Sequence, residues 1–210
     1  MAGSELTVAF YCGIGSRYSY LAATQLERLS EATGTNFEWF PIISSELIAA
    51  RDQNPFQWDD KKQEWSGATM SGQYHEAYRR RDLARWATLY GVSYREPEPP
   101  AMDAASRTLY AVAASSLGSG PTYCRRLFDT IYDQGRPTDE TICRSIASDS
   151  NLDPDELTSL VESGEAAKIH DGWVVSAKNA GLFGVPSFVL GEQVFWGNDR
   201  LPLLEAALSL

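Results

Sequence analysis

Residues 5–43 read ELTVAFYCGIGSRYSYLAATQLERLSEATGTNFEWFPII, and the change of period inside this stretch decides the fold. Glu5 to Cys12 is rich in Val, Phe and Tyr and stops at Gly13, which reads as a strand. Gly13 to Ser16, GIGS, is a turn. Ala22, Leu26, Leu29 and Thr33 then recur at i, i+4, i+7 and i+11, one face of a single helix from about Arg17 to Thr33 that Gly34 stops. NFEWFPII follows with Phe37 and Trp39 inward and Glu38 outward, a second strand ending near Ile43. Two strands joined by a helix make a right-handed crossover, so the strands are parallel.

The far end of the chain returns to strands. SFVL (187–190), the turn Gly191-Glu192 and QVFW (193–196) form a hairpin, and Gly197-Asn198-Asp199 opens a helix from Leu201 to Leu208. Between the two ends the pattern is helical, with runs at 73–91, 103–118, 121–134, 138–148, 154–162 and 164–182. Gly and Pro residues separate them, including Gly91, the run Pro97-Glu98-Pro99-Pro100 and Gly135-Arg136-Pro137. Thr138 with Thr141, and Asp153-Pro154, read as helix starts. Asp52 to Gly72 is polar and aromatic and reads as a long loop. The order βαβ, helices, ββα predicts an α/β, thioredoxin-like fold. Its residues are 1–44 and 183–210, and a large all-helical insertion spans 45–182.

Composition narrows the function. The chain has 210 residues, 43% hydrophobic and 22% charged, values of a globular protein. Its 18 basic against 28 acidic residues give a net charge of −10, which argues against nucleic acid or an anionic membrane as partner. A local positive site can still hold a small anion. No apolar stretch approaches a bilayer span, and MAGSELTVAF has no secretory pattern. Cys12, Cys124 and Cys143 lie far apart and form no CxxC pair. They read as buried small hydrophobes in a reducing cytoplasm rather than as disulfides or metal ligands.

Three places offer chemistry. Ser16 starts the first helix, where free N–H groups and a hydroxyl suit a thiolate; from chemistry alone the serine reads first as a plain N-cap. Gly13 and Gly15 hint at a dinucleotide loop, but Tyr18 occupies the position that needs a small residue. Val185-Pro186 enters a strand where a cis bond would present main-chain groups to a peptide-like ligand; a trans proline beginning a strand fits the same letters. Asn198-Asp199-Arg200 could hold a group with both a carboxylate and an ammonium, or Asp199 could simply cap the last helix. In the run YRRRDLARWA, Asp82 and Arg85 stand at i, i+3 as an ion pair beside Trp86. His75 and His170 are isolated, and no metal set or histidine triad is expected.

These strings carry a resemblance. Ser16-Arg17-Tyr18-Ser19-Tyr20-Leu21-Ala22 resembles the S-P-Y-S-[YW]-L-A segment of the 2-hydroxychromene-2-carboxylate isomerases and kappa-class glutathione transferases. Tyr78 to Ala87 resembles their Y-x-x-x-D-L-x-R-W-A helix, Gly184 to Phe188 their G-V-P-[ST]-F, and Phe195 to Leu201 their F-W-G-x-D-R-L. The four strings occur in the family's order. The resemblance implies a DsbA-like fold with serines at 16 and 19 in place of a redox pair, and disulfide exchange is excluded without thiols. It implies that glutathione supplies the sulfur. The thiolate would lie over Ser16 and the cysteinyl backbone against Val185 beside a cis Pro186. The γ-glutamyl end would meet Asn198 and Asp199, and Asn54 would correspond to a family asparagine.

The implied chemistry is conjugate addition to an aromatic-derived enone or keto acid, bond rotation and elimination, with a role in aromatic catabolism. A glutathione transferase, or a non-catalytic binding module, would use the same scaffold. Arg17, Tyr18, Arg85 and Arg200 are candidates to hold the substrate. Arg17 stands where the family has proline, and Gln57 to Gly72 is longer than the family norm. Kappa-class relatives imply a homodimer.

Overall fold

The computed structural model describes residues 6–48, 58–59, 64–65 and 76–209. The chain begins with β1 (Thr7–Cys12), α1 (Arg17–Ala23), α2 (Leu26–Thr33), β2 (Asn36–Pro41) and α3 (Ser44–Ile48). The short strands β3 (Trp58–Asp59) and β4 (Glu64–Trp65) pair antiparallel. Six helices follow: α4 (Glu76–Tyr90), α5 (Ala104–Ser116), α6 (Gly120–Phe128), α7 (Glu140–Asp149), α8 (Pro154–Glu162) and α9 (Glu165–Asn179). The chain closes with β5 (Ser187–Leu190), β6 (Gln193–Trp196), a 3-10 turn at Asn198–Arg200, and α10 (Leu201–Leu208).

The main sheet runs β2-β1-β5-β6. β1 and β2 are parallel, with Phe10 opposite Trp39, and β5 is antiparallel to both β1 and β6. Period-two alternation sends β1 to two apolar layers. Val8, Phe10 and Cys12 join the larger core, which includes Tyr110 and Ala111 of α5 and Leu127 of α6. Tyr11 faces the other way, onto Ile42, Leu47 of α3, and Val174 and Ala177 of α9. The sheet is therefore covered on both faces, and the C-terminal end of β1 leads into the Gly13–Ser16 turn. Among the described residues no helix is long and apolar enough to cross a membrane.

Four local readings change. The single helix expected over 17–33 is two, broken at Thr24-Gln25. The Thr24 hydroxyl donates to the Leu21 carbonyl at 2.6 Å, the Gln25 N–H turns to Ala22 at 3.0 Å, and Arg125 takes the freed Ala23 carbonyl at 3.2 Å. A side chain that competes for the ladder is a known cause of such breaks. The run 121–134 passes from α6 into a π turn at Asp129–Asp133, which places Ile131 and Tyr132 in the core. The stretch read as a loop contains the β3–β4 pair, where Trp58 stands in register with Trp65. Aromatic residues favour strands, and two isolated ones gave no period to read. Asp139, rather than Thr138, caps α7 by accepting from the Ile142 N–H at 2.9 Å.

Candidate active site

The turn after β1 is held from several sides. The Gly13 N–H donates to Ser19 Oγ at 3.1 Å, the Ser16 N–H to the Gly13 carbonyl at 2.9 Å, and the Tyr132 hydroxyl to the Ile14 carbonyl at 3.2 Å. Ser16 Oγ accepts the Ser19 N–H at 3.2 Å, so it caps α1. This uses one lone pair and leaves the half-buried hydroxyl its proton to donate. α1 itself has only 7 residues, so the hydroxyl rather than a long helix dipole is the main local resource.

The second wall approaches closely. The Val185–Pro186 bond is cis, and the Pro186 carbonyl accepts the Gly197 N–H at 2.9 Å. A Cβ placed at Gly13 would lie 2.9 Å from Val185 Cγ2 and 3.5 Å from Ser16 Cβ. Ser16 and Val185 thus flank a position that only glycine leaves open. Gly184 does the same against Trp196, whose Nε1 would be 2.8 Å from an added Cβ.

Beside this contact opens a cleft of about 550 Å³, within the usual range for small-ligand sites. Tyr18, Asp82 and Trp86 line it on one side, and Val185, Pro186 and Asn198 on the other. The Tyr18 hydroxyl donates to Asp82 Oδ2 at 2.9 Å. Burial first, and then the Asp82 carboxylate, push the Tyr18 phenol well above its ordinary pKa, so it stays protonated. Asn198 is 2% exposed; neither its Oδ1 nor its Nδ2 completes a well-formed hydrogen bond, and the Tyr90 phenol is the polar group beside the amide. Asp199 and Arg200 sit at the exposed end of the cleft, paired at 2.6 Å.

Of the residues expected to share a site, Tyr18, Val185, Pro186, Asn198, Asp199 and Arg200 line this cleft. Ser16 adjoins it through Gly13 without lining it. Asp199 does not cap the last helix: α10 has no side-chain cap, and Asp199 turns to Arg200 instead. Arg17 lies outside the cleft, bonded through Nε to Glu96 at 2.8 Å, while the Tyr94 hydroxyl binds the other Glu96 oxygen at 2.6 Å. Arg85 is exposed outside it as well, and Asp82 serves Tyr18 rather than Arg85. Asn54 and His75 lie outside the described residues. Glu96, 79 residues from Arg17, and the Tyr18–Asp82 bond have no local signal in the sequence.

His170 has Glu46 and Asp171 nearby, a grouping that invites a metal. Its Nε2 accepts the Ile43 N–H at 3.0 Å, which puts the ring proton on Nδ1, the nitrogen facing Asp171 at 3.8 Å. No lone pair is then left for an ion between the carboxylates, and His170 acts as a buried strut.

A family model described as DSBA-like thioredoxin domain matches residues 7–209. A 2-hydroxychromene-2-carboxylate isomerase from Sphingobium xenophagum is 30% identical over 204 residues, covering 96% of this chain and 97% of that protein. The chain belongs to the DsbA-like thioredoxin family, in its 2-hydroxychromene-2-carboxylate isomerase branch. A Pseudomonas putida protein of the same name is 26% identical, with 97% of this chain and 95% of that protein covered. Among solved structures, a 2-hydroxychromene-2-carboxylate isomerase superposes with a TM-score of 0.79 at 23% identity, covering 97% of this chain and 94% of that one. A probable DsbA oxidoreductase from Streptomyces coelicolor reaches 0.72 at 16% identity, with 98% and 89% covered. Unlike a dithiol oxidoreductase, this DsbA-like chain offers serines at 16 and 19, and all three of its cysteines are buried.

Proposed function

We propose that this protein is a glutathione-dependent isomerase of the 2-hydroxychromene-2-carboxylate type, acting on a small aromatic-derived enone or keto acid. The near full-length isomerase relatives support the reaction class. The observation that carries the ligand is Asn198. A buried primary amide with neither end in a well-formed hydrogen bond is costly, and a ligand with a donor and an acceptor in the adjoining cleft removes that cost.

The residues present fit a tripeptide thiol. Asn198 and Asp199 would hold the γ-glutamyl end, whose ammonium would replace the Arg200 guanidinium on Asp199. Arg200 would then be free to meet a substrate carboxylate. Val185 would pair with the cysteinyl main chain, and Asn54 belongs to the same proposed set. When bound, glutathione supplies the thiolate that adds to the enone and leaves after bond rotation. The Ser16 hydroxyl would donate a hydrogen bond to that sulfur, keeping its own proton, and so hold the thiolate ionised. Trp86 and Trp196 would give the aromatic acceptor apolar walls that exclude water, with Tyr18 fixed by Asp82 between them. A reducing cytoplasm, consistent with three buried free thiols, and a homodimer belong to the same proposal.

The test is turnover of 2-hydroxychromene-2-carboxylate with and without reduced glutathione, with free thiol counted throughout. An isomerase needs glutathione and returns every thiol. Thiol lost in step with product would mean a transferase. Isothermal titration giving no heat at millimolar glutathione would mean a binding module without this cofactor.

A further inference from the structure

Several arginines among the described residues are matched to carboxylates. Arg17 meets Glu96, Arg28 meets Glu205, Arg125 meets Asp129 and Arg144 meets Asp155. Arg107, on α5, differs from these in being buried without one. It is 6% exposed, and its contacts are neutral: Nε donates to the Asp103 carbonyl at 3.3 Å and Nη1 to Thr138 Oγ1 at 3.3 Å. The Asp103 carboxylate is turned to Ser106, where it caps α5. Among the described residues no carboxylate lies within ion-pair distance of Arg107. A guanidinium stays protonated in a protein, so this charge is buried with long, neutral hydrogen bonds, an arrangement that ordinarily calls for an anion.

Space for one is present. Arg107 lines a cavity of about 270 Å³ together with Gly15, Arg17, Glu98, Tyr132 and Arg136. With Arg17 neutralised by Glu96, the walls carry Arg107 and Arg136 against Glu98, a surplus of one positive charge. Pro97, Pro99 and Pro100 complete the rim and give it a restricted backbone. We infer that this cavity is a site for a small monocarboxylate, held by the buried Arg107 fork with the exposed Arg136 beside it. One surplus charge suits a monoanion. Glu98 opposes the second charge of a phosphate, and the planar fork matches a carboxylate with two parallel hydrogen bonds. The site shares no wall with the Asn198 cleft, but Gly15 and Arg17 flank Ser16, so it adjoins the candidate active site.

The assignment stands apart from the glutathione proposal and is tested without glutathione. The full chain is titrated with benzoate and with pyruvate, followed by NMR, with benzamide as the uncharged control and inorganic phosphate as the competing anion. The expected result is a saturable shift of the Gly15, Arg107 and Arg136 signals by the carboxylates and none by benzamide. Arg107→Met should weaken carboxylate binding by about tenfold or more, the effect of losing a hydrogen-bonded charge. Arg136→Gln, on the surface, should fold normally and weaken it severalfold, which keeps the test decisive if Arg107→Met does not fold. No shift at millimolar carboxylate, wild-type affinity in the folded variants, or a preference for phosphate would overturn the assignment.

Discussion

Replacing Asn198 by leucine should move stability and ligand binding in opposite directions. The Asn198 side chain is buried with neither polar atom in a well-formed hydrogen bond, and each such group costs about 1–3 kcal/mol. A leucine of the same branched shape removes that cost, and fitting its larger methyl groups returns about 1–3 kcal/mol. The Tyr90 hydroxyl donates to the Asn198 main-chain carbonyl at 3.4 Å and keeps that bond, while the weaker contact of the side-chain amide with the phenol is lost. The net expectation is about 1 kcal/mol of added stability, or roughly 2–4 °C in Tm for a chain of this size. Glutathione loses a donor and an acceptor for its charged end, about 1.5–3 kcal/mol, so its Kd should rise roughly ten- to a hundredfold. Calorimetric melting without ligand and isothermal titration with reduced glutathione read the two effects separately. An Asn198→Leu protein that is less stable and still binds glutathione normally would refute the reasoning, because the amide would then be a structural strut.

Two further outcomes follow from the packing. Gly13→Ala should cost about 1–3 kcal/mol in urea unfolding and weaken glutathione binding, because the new Cβ meets Val185 Cγ2 at 2.9 Å; Val185→Ala in the same chain should restore most of the stability. Burial holds the His170 pKa below its ordinary 6.5, so as pH falls below about 6.5 the unfolded chain takes up the proton first. Its contribution to stability is complete above that pH and is lost on the way down to the folded pKa. His170→Gln, which keeps an acceptor for the Ile43 N–H, should flatten this part of a stability–pH curve measured by urea unfolding.

What the sequence made legible is what depends on local period and on Gly and Pro. The strand before Gly13, the parallel crossover to Asn36–Pro41, the closing hairpin at 187–196 and the α8 cap at Asp153 all stand where the letters place them. So do six of the cleft residues, because they cluster in short strings at the ends of strands. The helix break at Thr24 was hidden, since its cause includes an arginine 102 residues away. The fate of the arginines was hidden for the same reason. Arg17 could be seen beside Ser16, but the acid that neutralises it comes from Glu96. Asp82 could be seen beside Arg85 at helical spacing, yet Tyr18 from another helix reaches it. Spacing along one helix says which groups can meet and not which tertiary partner wins.

The central claim, a glutathione sulfur kept ionised by the Ser16 hydroxyl, is tested most directly by titrating the ultraviolet thiolate absorbance of bound glutathione in the wild type and in Ser16→Ala. In the wild type the bound thiol should ionise well below its ordinary value of about 8.5, and in Ser16→Ala its pKa should return upward by about one unit, the equivalent of one hydrogen bond to a charged atom. Bound glutathione that ionises at the same pH in both proteins would contradict the claim.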